Sequence, residues 1–473
     1  MKLEKILLIL LFIPAFLGAQ ELSKPFGEGY EFYRDEIELT SKQREDEIAE
    51  CIRKINELKQ LGKISDNLKK PGAGGYIWPV KAGNNLREFN FWGISNFVDH
   101  DSLSPGLLDY NGGNRTYNNH QGTDIFTWPF PWFKMDSSLV EIAAAADGII
   151  IAKRDGNFDR SCAMNGNQWN AVYVRNFDGN TVWYGHMKSG SLTEKEVGDT
   201  VFAGDFLGIV GSSGSSTGPH LHLEIHDADW NLIDPWMGPD NPSISESLWA
   251  NQKPYYDSKV NRISTARKRP DFPGCSFIES PNESNGFAQG DTVYFITYYS
   301  DQLRNQVSNY TITTPENSIW TSWSNSLTSA DFYAASWWGW YFIFPENSPV
   351  GNWKFSVEYE NVIYTHDFRI NNSAVTVKEI SGSSGSFELG QNYPNPFNPT
   401  TAIEYSLGGQ ELRFVLLKVY NLLGQEAATL INEKQMPGRY KVTFDASGLS
   451  SGVYCYTLRA GSFYQTRKMI LIR

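Results

Sequence analysis

Four of the seven histidines fall in three short stretches whose residue types and spacing suit a metal site. The first is His120-Gln-Gly-Thr-Asp124, an imidazole and a carboxylate four residues apart, with Gly122 between them to let the backbone turn. The second is Trp183-Tyr184-Gly185-His186. The third is Gly218-Pro219-His220-Leu221-His222-Leu223-Glu224. On a strand, residues i and i+2 share a face. His220 and His222 then point one way, and Leu221, Leu223 and Ile225 point the other way, into a core. Imidazole nitrogen suits zinc, and a catalytic zinc takes three protein ligands and a water. Each stretch alone arises by chance in many chains of this length. Their joint occurrence within one region predicts a metal site. Glu224 either orients a ligand from behind or is a plain polar strand residue, and the spacing favours the second. His226 lies a strand step too far, and His100 reads as a surface residue. No HExxH sequence occurs, which argues against a mechanism with glutamate as the base.

The elements that must hold these residues are mostly strands. Between 76 and 245, short runs such as Gly148 to Ala152, Ala171 to Arg175 and Thr181 to Tyr184 are β-branched or aromatic and punctuated by Gly, Asn and Asp. They predict one antiparallel domain with long loops. Before it, within an N-terminal segment 20–75, residues 41–61 predict a helix. Ile48, Ile52, Ile55 and Leu58 recur at three and four, Ser41 caps the start and Gly62 ends it. One such helix cannot bury its stripe alone, so it packs on the next domain. Residues 246–375 predict a second β domain, most simply an immunoglobulin-like sandwich. Its five tryptophans between Trp320 and Trp340 are read as core and interdomain contacts rather than as a sugar-stacking platform. A linker at 376–388, containing Ser-Gly-Ser-Ser-Gly-Ser, leads to a small β-sandwich at 389–473.

The 473 residues correspond to roughly three domains. Aromatic residues make up 14%, which favours β-rich modules. The formal charge of −12 lacks the basic footprint of a nucleic-acid binder or of a surface for anionic lipid. The four cysteines, Cys51, Cys162, Cys275 and Cys455, form no CxxC pair, so a cysteine-held zinc is not expected. They permit several disulfide pairings, Cys51 with Cys162 among them. Residues 1–19 read as a signal peptide: Lys2 and Lys5, an apolar run from Ile6 to Ile13, then Gly18-Ala19 before a cut at Gln20. The run is short for a membrane span, and no other long apolar run follows. No integral membrane span is expected after its removal.

Two stretches resemble known families. In order and wording, HxxxD, YGH and GPHLHLE resemble the M23 family of lysostaphin/LytM-type zinc endopeptidases. Further pieces fit it: Ala144 to Gly148, Asn170 to Val174, Gly204 to Gly211, Gly214 to His220 and Ile233-Asp-Pro235. The resemblance covers roughly 115–240. It implies an antiparallel β peptidase domain that holds Zn²⁺ through His120, Asp124 and His222, with His186 and His220 as the two active-site histidines that are not ligands. It also implies hydrolysis of peptide bonds in peptidoglycan, in cross-links or stem peptides. Gly185 stands where alanine is common in the family, and Asp155 to Gln168 reads as an insertion that shapes the cleft. Family members that lack the ligands regulate other wall hydrolases, but here every motif position is filled. A non-enzymatic cell-surface or wall-binding protein with a structural zinc is the competing reading.

The far end, from Leu389-Gly-Gln-Asn-Tyr-Pro-Asn-Pro-Phe397 to the final Thr466-Arg-Lys-Met-Ile-Leu-Ile-Arg473, resembles the C-terminal sorting domain of type IX secretion cargo. That implies Sec export, then passage across the outer membrane by the type IX machinery, to the cell surface or beyond. The fold class expected for the whole is therefore mainly β, in three modules, with a short N-terminal helical segment.

Overall fold

The computed structural model describes residues 23, 25–30, 39–64, 75–101, 106–275, 278–371, 377–380, 387–408, 413–435, 437–446, 449–461 and 463–472. The signal-peptide stretch and the Ser-Gly-Ser-Ser-Gly-Ser run lie outside these residues. The chain is mainly β, with two helices among the described residues, Ser41–Gln60 and Pro131–Asp136.

A seven-stranded antiparallel sheet carries the histidines. Its spatial order is Trp92–Asn96, Thr123–Thr127, His220–His226, Thr181–Gly185, Ala171–Asn176, Gly148–Arg154 and Thr200–Val201. Strand alternation gives it two different faces. On one face Ile150, Val172, Val174, Val182, Leu221, Leu223 and Ile225 join a core with a three-stranded sheet of Phe206–Ile209, Val140–Ala143 and Val80–Ala82. On the other face lie His220, His222, Glu224 and His226, and beside them Ile149, Ile151, Tyr173 and Trp183.

The helix Ser41–Gln60 covers that second group. Its buried residues are Glu47, Cys51, Ile55 and Leu58. The buried stripe is thus rotated from the expected one, since Ile52 is 40% exposed. The expected cap also moves by one residue. Thr40 is the N-cap and forms a reciprocal capping box with Gln43, so Ser41 is the first helical residue. The helix stops at Gln60, and Gly62 follows with φ +69°, a left-handed conformation that glycine adopts without strain. Ile55 and Leu58 each stabilise the packing by about 1.5–3 kcal/mol through burial alone.

Residues 259–371 form two facing sheets. One contains Lys259–Ala266, Thr292–Leu303 and Phe332–Ile343. The other contains Gly286–Ala288, Val362–Asn371, Gly351–Tyr359, Val307–Thr313 and Ile319–Ser326. Phe295, Tyr299, Tyr310, Trp340, Trp353 and Phe355 fill the space between them. Trp323, Trp337 and Trp340 are buried, and Trp320 and Trp338 pack on the core from its edge. The tryptophan cluster is therefore core. The first sheet gains an edge strand, Phe26–Tyr30, paired antiparallel with Phe332–Ile343. The N-terminal segment is thus not helical alone but also completes the sandwich.

The C-terminal module is a second pair of four-stranded sheets around its own core of Ile403, Val415, Leu417, Val442, Tyr456 and Leu458. Val377–Ile380, expected in a linker, is a strand paired with Gly438–Asp445 and belongs to this module. Cys455 sits mid-strand and is only partly buried. The disulfide joins Cys162 to Cys275, whereas Cys51 is a buried free thiol. Cys51 is held in the helix core and does not pair with Cys162.

Candidate metal centre and active-site cleft

Three neighbouring strands bring the predicted residues together. In the antiparallel register His222 stands directly opposite Asp124 on one side and Gly185 on the other. Directly opposed residues have Cβ atoms about 4.5–5.5 Å apart, so Asp124 and His222 meet. His120 enters from the loop before the Asp124 strand. His120 Nε2 lies 3.2 Å from Asp124 Oδ1 and 3.3 Å from His222 Nδ1, and His222 Nδ1 lies 3.0 Å from Asp124 Oδ1. All three residues are buried. Donors on a tetrahedral metal with bonds of about 2.0–2.1 Å stand about 3.3 Å apart, so the triangle fits a divalent ion.

Hydrogen bonds around the triangle aim the lone pairs inward. His120 Nδ1–H donates to the Phe97 carbonyl at 2.7 Å, which leaves Nε2 as the donor atom. His222 Nε2–H donates to Glu224 Oε2 at 3.2 Å, which leaves Nδ1. Asn96 Nδ2 donates to Asp124 Oδ2 at 3.0 Å and so turns Oδ1 toward the imidazoles. Partners of this kind fix tautomer and ring orientation at metal sites.

Gly122 is needed for close approach rather than for turning. A Cβ there would stand 2.5 Å from His222 Cε1 and 2.8 Å from the Leu223 carbonyl oxygen. Gly185 has a similar cause, because its Cβ would meet the Trp169 ring at 2.5 Å. That explains glycine where alanine is common.

The remaining two predicted histidines face each other beside the triangle, ring centroids 4.4 Å apart. His186 leaves its strand with φ +60°, an uncommon conformation for a residue with a Cβ. Its Nδ1–H donates to the Ser213 carbonyl at 2.6 Å. His220 Nδ1–H donates to the Gly218 carbonyl at 2.8 Å, and its Nε2 lies 3.7 Å from Asp124 Oδ1. In both rings Nε2 is left as the basic nitrogen. Such a pair can accept a proton or stabilise a developing negative charge.

Glu224 is no plain polar residue. Its carboxylate is fully buried and receives His222 and His226, the latter at 2.6 Å, and it is ion-paired with Arg44 of the N-terminal helix. Burial opposes its charge, yet Arg44 and the two imidazoles hold its pKa well below the usual carboxylate range. His226 stays out of the donor triangle and serves Glu224. His100 is not a lone surface residue, since its Nε2 bonds Asp234 Oδ2 at 2.8 Å. Asn96, Trp169, Ser213 and Arg44 were not singled out from sequence. Each contributes from a different strand, loop or helix, and only Asn170, beside Trp169, falls in a stretch with family wording.

Asp124 borders a cavity of about 320 Å³. Asp124 and His220 line it together with Phe126 of the seven-stranded sheet, Trp132 of the helix Pro131–Asp136, and Tyr117 and Met164 from loops. Tyr30, Phe272, Cys275 and Glu279 close the cavity from the N-terminal strand and the approach to the sandwich.

The family profile "Peptidase family M23" matches residues 134–235, and "Secretion system C-terminal sorting domain" matches residues 391–472. The chain therefore carries an M23 peptidase domain followed by a sorting domain, which indicates secretion or a cell-surface location. The first match begins after Asp124, so two corners of the triangle lie outside it. The DD-carboxypeptidase/endopeptidase Mpg of Neisseria meningitidis serogroup B (strain MC58) is 37% identical over 125 residues, 26% of each chain. Its counterpart in Neisseria gonorrhoeae is 36% identical over the same length and shares. The chain thus spans about a quarter of the length of the curated relatives it matches. A solved structure from Pseudomonas aeruginosa described as a peptidase M23 aligns with 41% of this chain and 60% of its own, at 22% identity and a TM-score of 0.21. Among the described residues, no helix is long and apolar enough to cross a membrane.

Proposed function

We propose that the protein is a secreted, zinc-dependent endopeptidase that hydrolyses peptide bonds of peptidoglycan, in cross-links or stem peptides. The observation that carries this reading is the buried His120–Asp124–His222 triangle, which meets a cleft through Asp124, with His186 and His220 beside it. Three protein donors leave a position for a reactant, whereas a structural zinc has four. The M23 match and the DD-carboxypeptidase/endopeptidase relatives support peptidoglycan peptides as the substrate. The type IX secretion machinery is the partner in export.

His120, Asp124 and His222 hold the ion. When bound, zinc supplies Lewis acidity, polarising a carbonyl and making water nucleophilic near neutral pH. His186 and His220 receive a proton at Nε2 and return it to the leaving amine. As imidazolium, either ring stabilises the oxyanion that forms at the scissile carbonyl. The aromatic walls exclude bulk water and hold the peptide strand in place.

The test uses the full chain on purified sacculi of several chemotypes, with and without zinc, and reads soluble products by mass spectrometry. Zinc-dependent peptide fragments are expected, with release at least about 100-fold lower in His222→Ala. One equivalent of bound zinc with no fragment from any chemotype would overturn the reading and favour a binding module.

A further inference from the structure

The helix Ser41–Gln60 lies well outside the segment that matches the peptidase family, yet it reaches the metal triangle by two routes. The first route is ionic. Arg44 is 12% exposed and pairs with Glu224, whose side chain is fully buried. The other oxygen of Glu224 receives the Nε2–H of His222. The guanidinium is a permanent charge, while both imidazoles beside Glu224 are weaker donors when neutral. A buried carboxylate without its cation is no longer held in place and moves toward solvent. His222 then loses the acceptor that orients its ring.

The second route is through packing. Glu47 accepts a hydrogen bond from the Tyr173 hydroxyl at 2.7 Å, and Tyr173 accepts one from Trp169 Nε1 at 2.9 Å. The Trp169 ring rests against His186 and His222, with centroids 5.2 and 5.7 Å away. Gln43 adds a bond to the Gly166 carbonyl on the inserted loop.

We propose that Arg44 is a positioning residue of the peptidase: through Glu224 it sets the orientation and tautomer of the metal ligand His222, so the N-terminal helix is a working part of the metal centre. This rests on the zinc-site reading above. It also states what the helix is for: it braces the back of the site, on the sheet face that carries the ligands, rather than covering the cleft.

The test measures zinc affinity by competition with a chelating dye, on the full chain, for wild type, Arg44→Met, Arg44→Lys, Glu224→Gln and Ile55→Ala. Arg44→Met and Glu224→Gln are expected to weaken zinc by about 10- to 100-fold. Arg44→Lys is expected to recover part of that loss, since it restores charge without the guanidinium fork. Ile55→Ala loosens the same helix without touching the ionic route, so it should lower the melting temperature and leave zinc affinity within about twofold of wild type. The visible absorption of the cobalt-substituted protein should change in the Arg44 and Glu224 variants and not in Ile55→Ala. If Arg44→Met fails to fold, Arg44→Lys and Glu224→Gln decide. Unchanged zinc affinity in the folded Arg44 and Glu224 variants would reduce the pair to a structural tie and overturn the proposal. Absence of stoichiometric, His222-dependent zinc binding in the wild type would instead overturn the function proposed above, and this inference with it.

Discussion

Glu279 lines the cleft with only 6% of its surface exposed, and burial pushes its carboxyl up to about 7, against the Phe133 N–H at 3.0 Å and the charge of Lys134. Its folded pKa is therefore above its unfolded value of about 4.3. The folded state keeps the proton in a range where the unfolded chain has released it, so stability falls as pH rises through that range. The loss begins near the unfolded pKa and is complete above about 7. It amounts to roughly 4 kcal/mol. Glu279→Gln should remove this slope. Urea unfolding in chelator at a series of pH values would measure it: the variant should gain on wild type as pH rises from about 4.5 to 8. A stability difference that does not vary with pH would contradict the assignment. At this scale the convergence of His120, Asp124, His186, His220 and His222 was legible in the sequence, because HxxxD, YGH and HxH are local patterns and a strand's two-residue period orients them. The reasons behind neighbouring residues were not. Gly122 and Gly185 are dictated by rings from distant segments, His222 and Trp169. Glu279 is remote in sequence from every histidine of the site.

At the scale of elements, the strands lie where β-branched runs and alternation put them, and the helix buries Ile55 and Leu58 of its expected stripe but leaves Ile52 40% exposed. Apolar spacing alone selects Ile48, Ile52, Ile55 and Leu58. The first half of the buried face runs through Glu47 and Cys51, since Glu47 is drawn in by the Tyr173 hydroxyl and by Arg154. A buried carboxylate that serves a distant hydroxyl has no signature in hydropathy. The cysteine pairing was equally hidden, because Cys162 and Cys275 are 113 residues apart and meet only once the sandwich docks. That bond ties the inserted loop to the segment leading into the sandwich beside the cleft, with Cys275 Sγ 3.4 Å from the Thr217 carbonyl. Closing so long a loop restricts the unfolded chain strongly. The double variant Cys162→Ser/Cys275→Ser should therefore lose about 2–4 kcal/mol in chemical denaturation. An unchanged midpoint and slope would mean that docking of the modules already holds these segments together.

Over the whole molecule, three modules were foreseen, but the first two share a core. Phe126, Trp128 and Phe130 of the peptidase region pack with Ile296, Tyr298 and Trp337 of the sandwich, and Phe26 of the N-terminal strand joins them. Polar groups cross the same boundary. Asn261 accepts the backbone N–H groups of Phe89 and Asn90 on its carbonyl, and Arg262 and Lys134 share Glu88. At the centre, Arg115 is 2% exposed, holds Asp301 Oδ1 at 2.6 Å and the Tyr255 carbonyl at 2.7 Å, and lies over the Phe332 ring. Long-range pairs of this kind join residues 186 apart and leave no local trace in a single sequence. A cleft walled from both sides, by Trp132 and by Phe272, requires the two regions to stay docked, which makes the sandwich part of the cleft's framework. Asp301→Ala tests this, because it strands a buried guanidinium and should cost about 3–5 kcal/mol. If peptidase and sandwich form one cooperative unit, calorimetry should record a single transition for both, and the substitution should move it as a whole. The sorting module, built around its own core, should melt separately and stay where it was. A shift confined to one of two separable transitions within residues 75–371 would instead make the sandwich an appendage, and the shared cleft wall an incidental contact.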